Sequence, residues 1–291
     1  MTEIIASPST RRMARDQNVD IDALAKKLGR TTIGPEDIGA RPSMTTAGDT
    51  SNWEVDHSKY GPVTTEPMSR FAQVAARNMA AAQAMIPAVT HHDRADIRAI
   101  EGLRASLKTQ AQARGVKLTA LAFHVAALAR ALRNFPRFNA SLSSDGQVLT
   151  LKDYVHIGIA VDTPHGLMVP VIRDADHKGL WEIAAEIADL AARAQARKIA
   201  PAQMGGASMT ITNLGGIGGT AFTPIVNPPE VAILGITRTE TVTVWDDDTP
   251  RPVPMVPLDL SYDHRVINGA DAARFLAYYA GLIGDPRKML I

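Results

Sequence analysis

Residues 261–275 read SYDHRVINGADAARF. An apolar run ends at Tyr262, crosses Asp263-His264-Arg265, and gives way to helical sequence after Asn268-Gly269. A histidine between a strand end and a helix start is placed to present its imidazole at a cleft. Its ordinary pKa of about 6.5 suits it to taking a proton near neutrality. The chain holds 8 histidines, and most histidines in proteins are structural or exposed, so position alone does not make His264 catalytic.

Working outward, the sequence from Glu66 onward alternates irregularly between helix and strand patterns. Helical periodicity covers 67–84, 96–113, 119–134, 179–198 and 270–284. Strand patterning covers 88–95, 147–162, 167–173, 207–213, 230–245 and 252–262. This irregular order predicts a mixed sheet covered by helices rather than a regular barrel.

Ahead of this lies a smaller unit, residues 1–38. Ser7-Pro8 reads as an N-cap and first helical position, and a helix is expected over 8–18. Val19, Ile21, Leu24 and Leu28 are spaced to pack against it, with Gly29 as the stop of the second segment. Residues 39–64, rich in Gly, Ser, Thr and Pro, read as a flexible linker to a catalytic domain over 65–291.

The 291 residues carry a formal net charge of +1, with 45% hydrophobic and 21% charged side chains. That balance supports a sizeable core and gives no reason to expect a nucleic-acid or membrane partner. There is no cysteine, which excludes disulfides, protein thiolate catalysis and cysteine-ligated metals. The first residues lack the apolar centre of a secretory signal, and no apolar run approaches the roughly 18 residues a spanning helix needs. A cytoplasmic location is expected. His91 and His92 are adjacent, so on a strand they face opposite sides and make no shared metal site. No metal is expected.

The run Leu214-Gly215-Gly216-Ile217-Gly218-Gly219 is not a nucleotide loop. It lacks the spacing and lysine of a phosphate loop, and no helical sequence follows it as in a dinucleotide fold. Close chain packing is the better reading.

HRVING resembles the HxxxDG signature of the 2-oxo acid dehydrogenase acyltransferases, a pattern shared with chloramphenicol acetyltransferase. The resemblance extends through MTITNLGGIGGTAFTPIVNPPEVAILGI (209–236), FPRFNASL (135–142), IGIAVDTPHGLMVPVI (157–172) and GDPRKML (284–290). It covers essentially all of 66–291. MIPAVTHHDRADI (85–97) and HRVING lean to the pyruvate branch.

The resemblance implies a chloramphenicol-acetyltransferase-like two-layer α/β sandwich. It implies transfer of an acetyl or other acyl group between dihydrolipoamide and coenzyme A. It makes His264 the general base and Thr212, just before the Asn of TITN, the hydroxyl donor to the oxyanion. Asn268 stands where the commonest family pattern has Asp, so it offers orientation without charge. On the residues alone, Thr212 is an ordinary strand threonine and Asn268 a turn residue.

For coenzyme A, the resemblance points to Arg104 and Lys108. They are four apart on an expected single helix and hence on one face, which is equally a solvated helix face. Arg70 and Asp162 are further candidates, the latter equally a turn residue. ASPSTRRMARDQNVDIDAL resembles a peripheral subunit-binding domain. Arg11, Arg12 and Arg15 would form the face that docks the decarboxylase or dihydrolipoamide dehydrogenase. The glycine-rich loop before its last helix is shortened to GRTTIGPEDI (29–38), which leaves the partner open.

Family members form trimers with sites at subunit boundaries, often within cubic or dodecahedral cores. Thr212 and His264 are therefore expected to meet near such a boundary. No lipoyl hairpin is recognisable, so the lipoyl group is expected in trans, on another chain, unless this is a shortened form. Two rival readings stand: a free-standing coenzyme A acyltransferase with another acceptor, and a non-catalytic docking scaffold.

Overall fold

The computed structural model describes residues 4–16, 19–34, 37, 53–164 and 166–290. The expected linker falls largely on 38–52, outside the described residues, as does the end of the helix expected over 8–18. The chain divides into two units, Met1–Pro67 and Met68–Ile291.

In the first unit, α1 (Pro8–Asp16) and α2 (Ile21–Leu28) form as the caps predict. The Ser7 hydroxyl accepts from the Thr10 amide at 3.1 Å, and Asp20 accepts from the Asp22 and Ala23 amides. Gly29 closes α2 in the left-handed region, φ 65°. Ala14, Ala25 and Ile33 make a small core, with Val19, Ile21 and Leu24 packed around it. The side chain of Leu28 lies outside the described residues.

The second unit is the expected two-layer α/β sandwich with a mixed sheet. Its strands are β1 (Ala88–Asp96), β2 (Ala140–Leu142), β3 (Leu149–Leu151), β4 (Ile157–Ile159) and β5 (Val171–Ile172). They continue with β6 (Met209–Asn213), β7 (Ala232–Ile236), β8 (Glu240–Asp246) and β9 (Thr249–Asp263). The main sheet runs β1-β9-β7-β6-β4-β5, and β8 also pairs with β9. β4, β6 and β7 are mutually parallel, and the other pairs are antiparallel. The strand expected over 147–162 is two short ones, and its first half pairs with β2 in a separate hairpin.

The helices are α3 (Arg70–Met85), α4 (Arg98–Ser106), α5 (Lys108–Ala113), α6 (Ala120–Asn134), α7 (Leu180–Gln195) and α8 (Gly269–Gly284). The helix expected over 96–113 is broken at Leu107, whose amide bonds back to Leu103 and Ala105. α6 buries nine residues and is the centre of the core.

Strand alternation gives the sheet two different faces. Leu258, Leu260 and Tyr262 of β9 and Leu234 of β7 pack with α6 and α8. On the opposite face stand Asp259, Ser261 and Asp263 of β9, each at most 2% exposed. Their register neighbours there are Gly235 and Ile233 of β7, then Thr212 and Thr210 of β6. Ala82 and Ile86 from the end of α3, with Val226, cover part of this face over Ile233.

Candidate active site

His264 is the first residue after β9, and its backbone is pinned on both sides. The His264 amide donates to Pro87 O at 3.1 Å, and the Asp263 amide donates to Val231 O at 2.8 Å. The Asp263 carbonyl accepts from the Val266 and Ile267 amides, closing the turn into α8. The imidazole is exposed, with Tyr262 at 5.8 Å between ring centroids.

Asn268 is the N-cap of α8. Its Oδ1 accepts from the Asp271 amide at 2.9 Å. Among the described residues, no hydrogen bond joins Asn268 to the His264 ring. Capping thus fixes Asn268 four residues beyond the histidine and satisfies an orphan helix donor.

Thr212 sits on β6, half-buried, opposite Gly235 of β7. Gly235 in turn faces Asp259 of β9. His264 lies five residues beyond Asp259, so register separates it from Thr212 by roughly 16 Å along the strands and 10 Å across them. Within one chain, Thr212 and His264 do not meet.

Each end of the sheet has its own clefts. Beside His264, Asp263 and Arg265 line a cleft of about 460 Å³ with Asn78, Ile86, Asn227 and Glu230. Beside Thr212, Asn213 lines one cleft with Arg104, His124 and Thr237, of about 300 Å³. It lines another with Asp162 and Leu190, of about 240 Å³. Gly215 alone bears out the close packing expected of the glycine run: a Cβ there would stand 3.2 Å from Thr237 O, whereas one on Gly216 or Gly218 would meet nothing within 4 Å.

The expectation that Arg104 and Lys108 share one helix is corrected by the break at Leu107, which puts them on α4 and α5. They still line one cleft of about 420 Å³, with Lys117 opposite. Arg104 is held by Glu101 at 2.6 Å. Arg70 begins α3 and is exposed. In the first unit, the Arg11 guanidinium donates to Ile4 O and Ala6 O, while Arg12 and Arg15 are exposed.

Three buried polar features were not signalled by any motif. Glu230, 5% exposed, accepts from Thr210 Oγ1 at 3.0 Å and Asn227 Nδ2 at 3.2 Å, both at Oε1. Burial pushes its carboxyl up to about 7. His124 on α6 meets the Tyr279 hydroxyl of α8 at 2.6 Å, and burial lowers its pKa to about 4. The buried Asp259 carboxylate holds His92 Nδ1 at 2.6 Å and accepts from the Phe222 amide at 3.3 Å. His91 points the other way, opposite Leu260. Among the described residues, no cluster of three or more His, Asp or Glu is placed to hold a metal, and no helix is long and apolar enough to cross a membrane.

The family model for the catalytic domain of 2-oxoacid dehydrogenase acyltransferases matches residues 60–291. The chain belongs to this acyltransferase family. Among its relatives is the dihydrolipoyllysine-residue acetyltransferase component of the pyruvate dehydrogenase complex of Azotobacter vinelandii. The two are 44% identical over 99% of this chain and 48% of the relative. The corresponding protein of Pseudomonas aeruginosa is also 44% identical, over 99% of this chain and 55% of that one. The acyltransferase chain thus spans about half the length of these curated relatives.

Two solved structures superpose on it with a TM-score of 0.80, each covering 81% of this chain and 98% of the other. One, 50% identical, is the cubic core of the pyruvate dehydrogenase multienzyme complex. The other, 49% identical, comes from work on the roles of a serine, a histidine and an asparagine in catalysis by A. vinelandii dihydrolipoamide acetyltransferase.

Proposed function

We propose that this chain transfers an acetyl group between dihydrolipoamide and coenzyme A, as the core of a pyruvate dehydrogenase complex. One observation carries the reading. The serine, histidine and asparagine named for the A. vinelandii enzyme are spaced by 52 and 4 positions, and Thr212, His264 and Asn268 have the same spacings. Threonine replaces serine and keeps the hydroxyl.

The chemistry follows from these groups. A coenzyme A thiol, with a pKa near about 8.5, is only slightly ionised at neutrality. His264 takes its proton as the sulfur attacks the thioester carbonyl of acetyl-dihydrolipoamide. A carbon–sulfur bond to coenzyme A forms, and the carbonyl electrons move onto oxygen. The Thr212 hydroxyl donates to that oxyanion, a contribution of about 3 kcal/mol for one such donor. The intermediate collapses by breaking the bond to the lipoyl sulfur, which receives the proton from the His264 imidazolium. One thioester replaces another, so the step is reversible. Asn268 contributes orientation of the turn through its cap.

The separation of Thr212 from His264 supports a site made by two copies, Thr212 from one and His264 from the next, in a homotrimer or a cubic assembly of trimers. Arg104 and Lys108 would hold the phosphates of coenzyme A, with Arg70 and Asp162 as secondary contacts. The lipoyl group would arrive on a domain other than the two described. Arg12 and Arg15, with Arg11 bracing the N-terminal segment, would dock the decarboxylase or the dihydrolipoamide dehydrogenase.

Mixing two impaired variants tests both chemistry and assembly. His264→Ala should abolish transfer from acetyl-CoA to dihydrolipoamide, and Thr212→Ala should slow it on the order of a hundredfold or more. Co-refolded at equal amounts, they should regain activity at about a quarter of the sites, those pairing an intact threonine with an intact histidine. No recovery would refute the shared site. Undetectable transfer by the unaltered protein would refute the activity.

A further inference from the structure

Thr212 belongs to a row that crosses four strands. It stands opposite Gly235 of β7, Gly235 opposite Asp259 of β9, and Asp259 opposite His92 of β1. Register partners point to one face of a sheet, so the four places of the row look the same way. The place at Gly235 is filled from outside the row. A Cβ on Gly235 would stand 2.7 Å and 2.8 Å from ring carbons of Phe222, and 3.1 Å from the Asp259 Cβ. The Phe222 ring therefore lies on the glycine, one strand spacing, roughly 5 Å, from Thr212.

Phe222 comes from the connection between β6 and β7, much of which is exposed: Ile217 is 78% exposed, and Thr220, Ala221 and Thr223 are exposed as well. Thr220 and Ala221 border a cleft of about 310 Å³ that His92 and Asp259 also line, so the connection here lies beside a void. Among the described residues, two hydrogen bonds tie down residues 220–222. Thr237 Oγ1 donates to Thr220 O at 3.1 Å, and the Phe222 amide donates to Asp259 Oδ2 at 3.3 Å. Asp259 is 1% exposed, and a carboxylate so buried keeps its place only while donors meet its oxygens. The donor to Oδ1 is His92 Nδ1, at 2.6 Å. Without it the carboxylate is left half satisfied at the edge of the cleft, and its turn toward water takes the Phe222 bond with it.

We propose that His92 is a positioning residue for the transfer reaction: its bond to Asp259 fixes the carboxylate that holds Phe222 on Gly235, and the ring fixes the wall of the site beside Thr212. The proposal rests on the acyltransferase reading, in which the Thr212 hydroxyl must be aimed at the oxyanion. Such a donor works only when it is held in place before the charge develops. His92 itself touches no substrate in this account.

Asparagine at 92 carries a donor near the place of Nδ1, and alanine carries none. The test joins steady-state kinetics on the whole chain, varying acetyl-CoA and dihydrolipoamide separately, to hydrogen exchange of the Phe222 amide. His92→Ala should lower kcat about tenfold, keep both KM values within about twofold, and speed exchange at Phe222 about tenfold. His92→Asn should return kcat and exchange to within about twofold of the parent. Phe222→Ala should also lower kcat about tenfold, and adding His92→Ala to it should lower kcat no further, because both act through one ring. Losses that multiply in the double variant overturn the proposal. So do an unchanged kcat in His92→Ala, and a His92→Asn as slow as His92→Ala. Light scattering separates positioning from assembly: a slow His92→Ala that has lost the parent's assembly size overturns the proposal too. If His92→Ala does not fold, His92→Gln replaces it, since its donor lies near the place of Nε2 instead. If the unaltered protein shows no transfer, the acyltransferase reading fails, while exchange at Phe222 still reports whether His92 holds that amide, so the two failures are told apart.

Discussion

Asp263 and Arg265 grip each other across His264. The guanidinium meets both carboxylate oxygens, Nη2 to Oδ2 at 2.6 Å and Nε to Oδ1 at 2.9 Å. Asp263 is 3% exposed in its side chain and Arg265 37%. Solvent therefore weakens the ion pair's own attraction, and its main effect is to satisfy a buried carboxylate. Arg265→Ala should cost about 2 kcal/mol by denaturant unfolding. It should also lower kcat more than it raises either KM, because it frees the turn that aims the imidazole. Unchanged kcat would mean that the backbone bonds to Pro87 and Val231 suffice.

Glu230 and His124 tilt stability against pH in opposite directions. Glu230 has its pKa raised from 4.5 to about 7. Its contribution is full below pH 4.5 and is lost as pH rises through 7, a change on the order of 3 kcal/mol. His124 is lowered from 6.5 to about 4, so its contribution is full above pH 6.5 and is lost as pH falls through 4. The two slopes oppose each other in the window where they overlap. Glu230→Gln should unmask the histidine, giving stability that rises between pH 4.5 and 6.5 in urea unfolding series. A profile no steeper than the parent's would show that Glu230 carries no shifted proton.

The bond between His124 and Tyr279 lies in the middle of the core, where a lone partner is worse than none. Tyr279→Phe alone should cost about 1–3 kcal/mol by stranding the imidazole nitrogen. Adding His124→Leu should recover most of that loss. A double variant as unstable as the sum of the single ones would deny the coupling.

Arg104 and Lys108 converge on one cleft from two helices. If they hold the 3′-phosphate, Arg104→Ala and Lys108→Ala should each raise KM for coenzyme A several-fold, more at low salt, and leave KM for dephospho-coenzyme A unmoved. Equal effects on both forms would place the phosphate elsewhere.

Much of this was legible in local sequence, because local chemistry decides it. Ser7 and Gly29 mark helix ends through bonds to residues three and four positions away. The strand-turn-helix around His264 is likewise set within a dozen residues. The break at Leu107 was not legible, since KTQAQA keeps helical periodicity through it. Nor was the division of 147–162, because the partner of Leu149–Leu151 is the strand at 140–142. Glu230, His124 and Asp259 were missed for a common reason. Their partners lie between 3 and 167 positions away, and only folding shows that each is buried. The distance between Thr212 and His264 likewise depends on strand order, which no pattern within either segment encodes.

β9 pairs with β1 along one edge and with both β7 and β8 along the other. A slip of one residue would turn Asp259, Ser261 and Asp263 into the helix-covered core and push Leu258, Leu260 and Tyr262 out of it. Three neighbouring strands would have to accept that exchange at once. The position of His264 is therefore fixed by nine residues of ladder with β1 alone. If the site is shared between two copies as proposed, inactive molecules in a folded preparation would trace to failed pairing between copies, not to faulty threading within one.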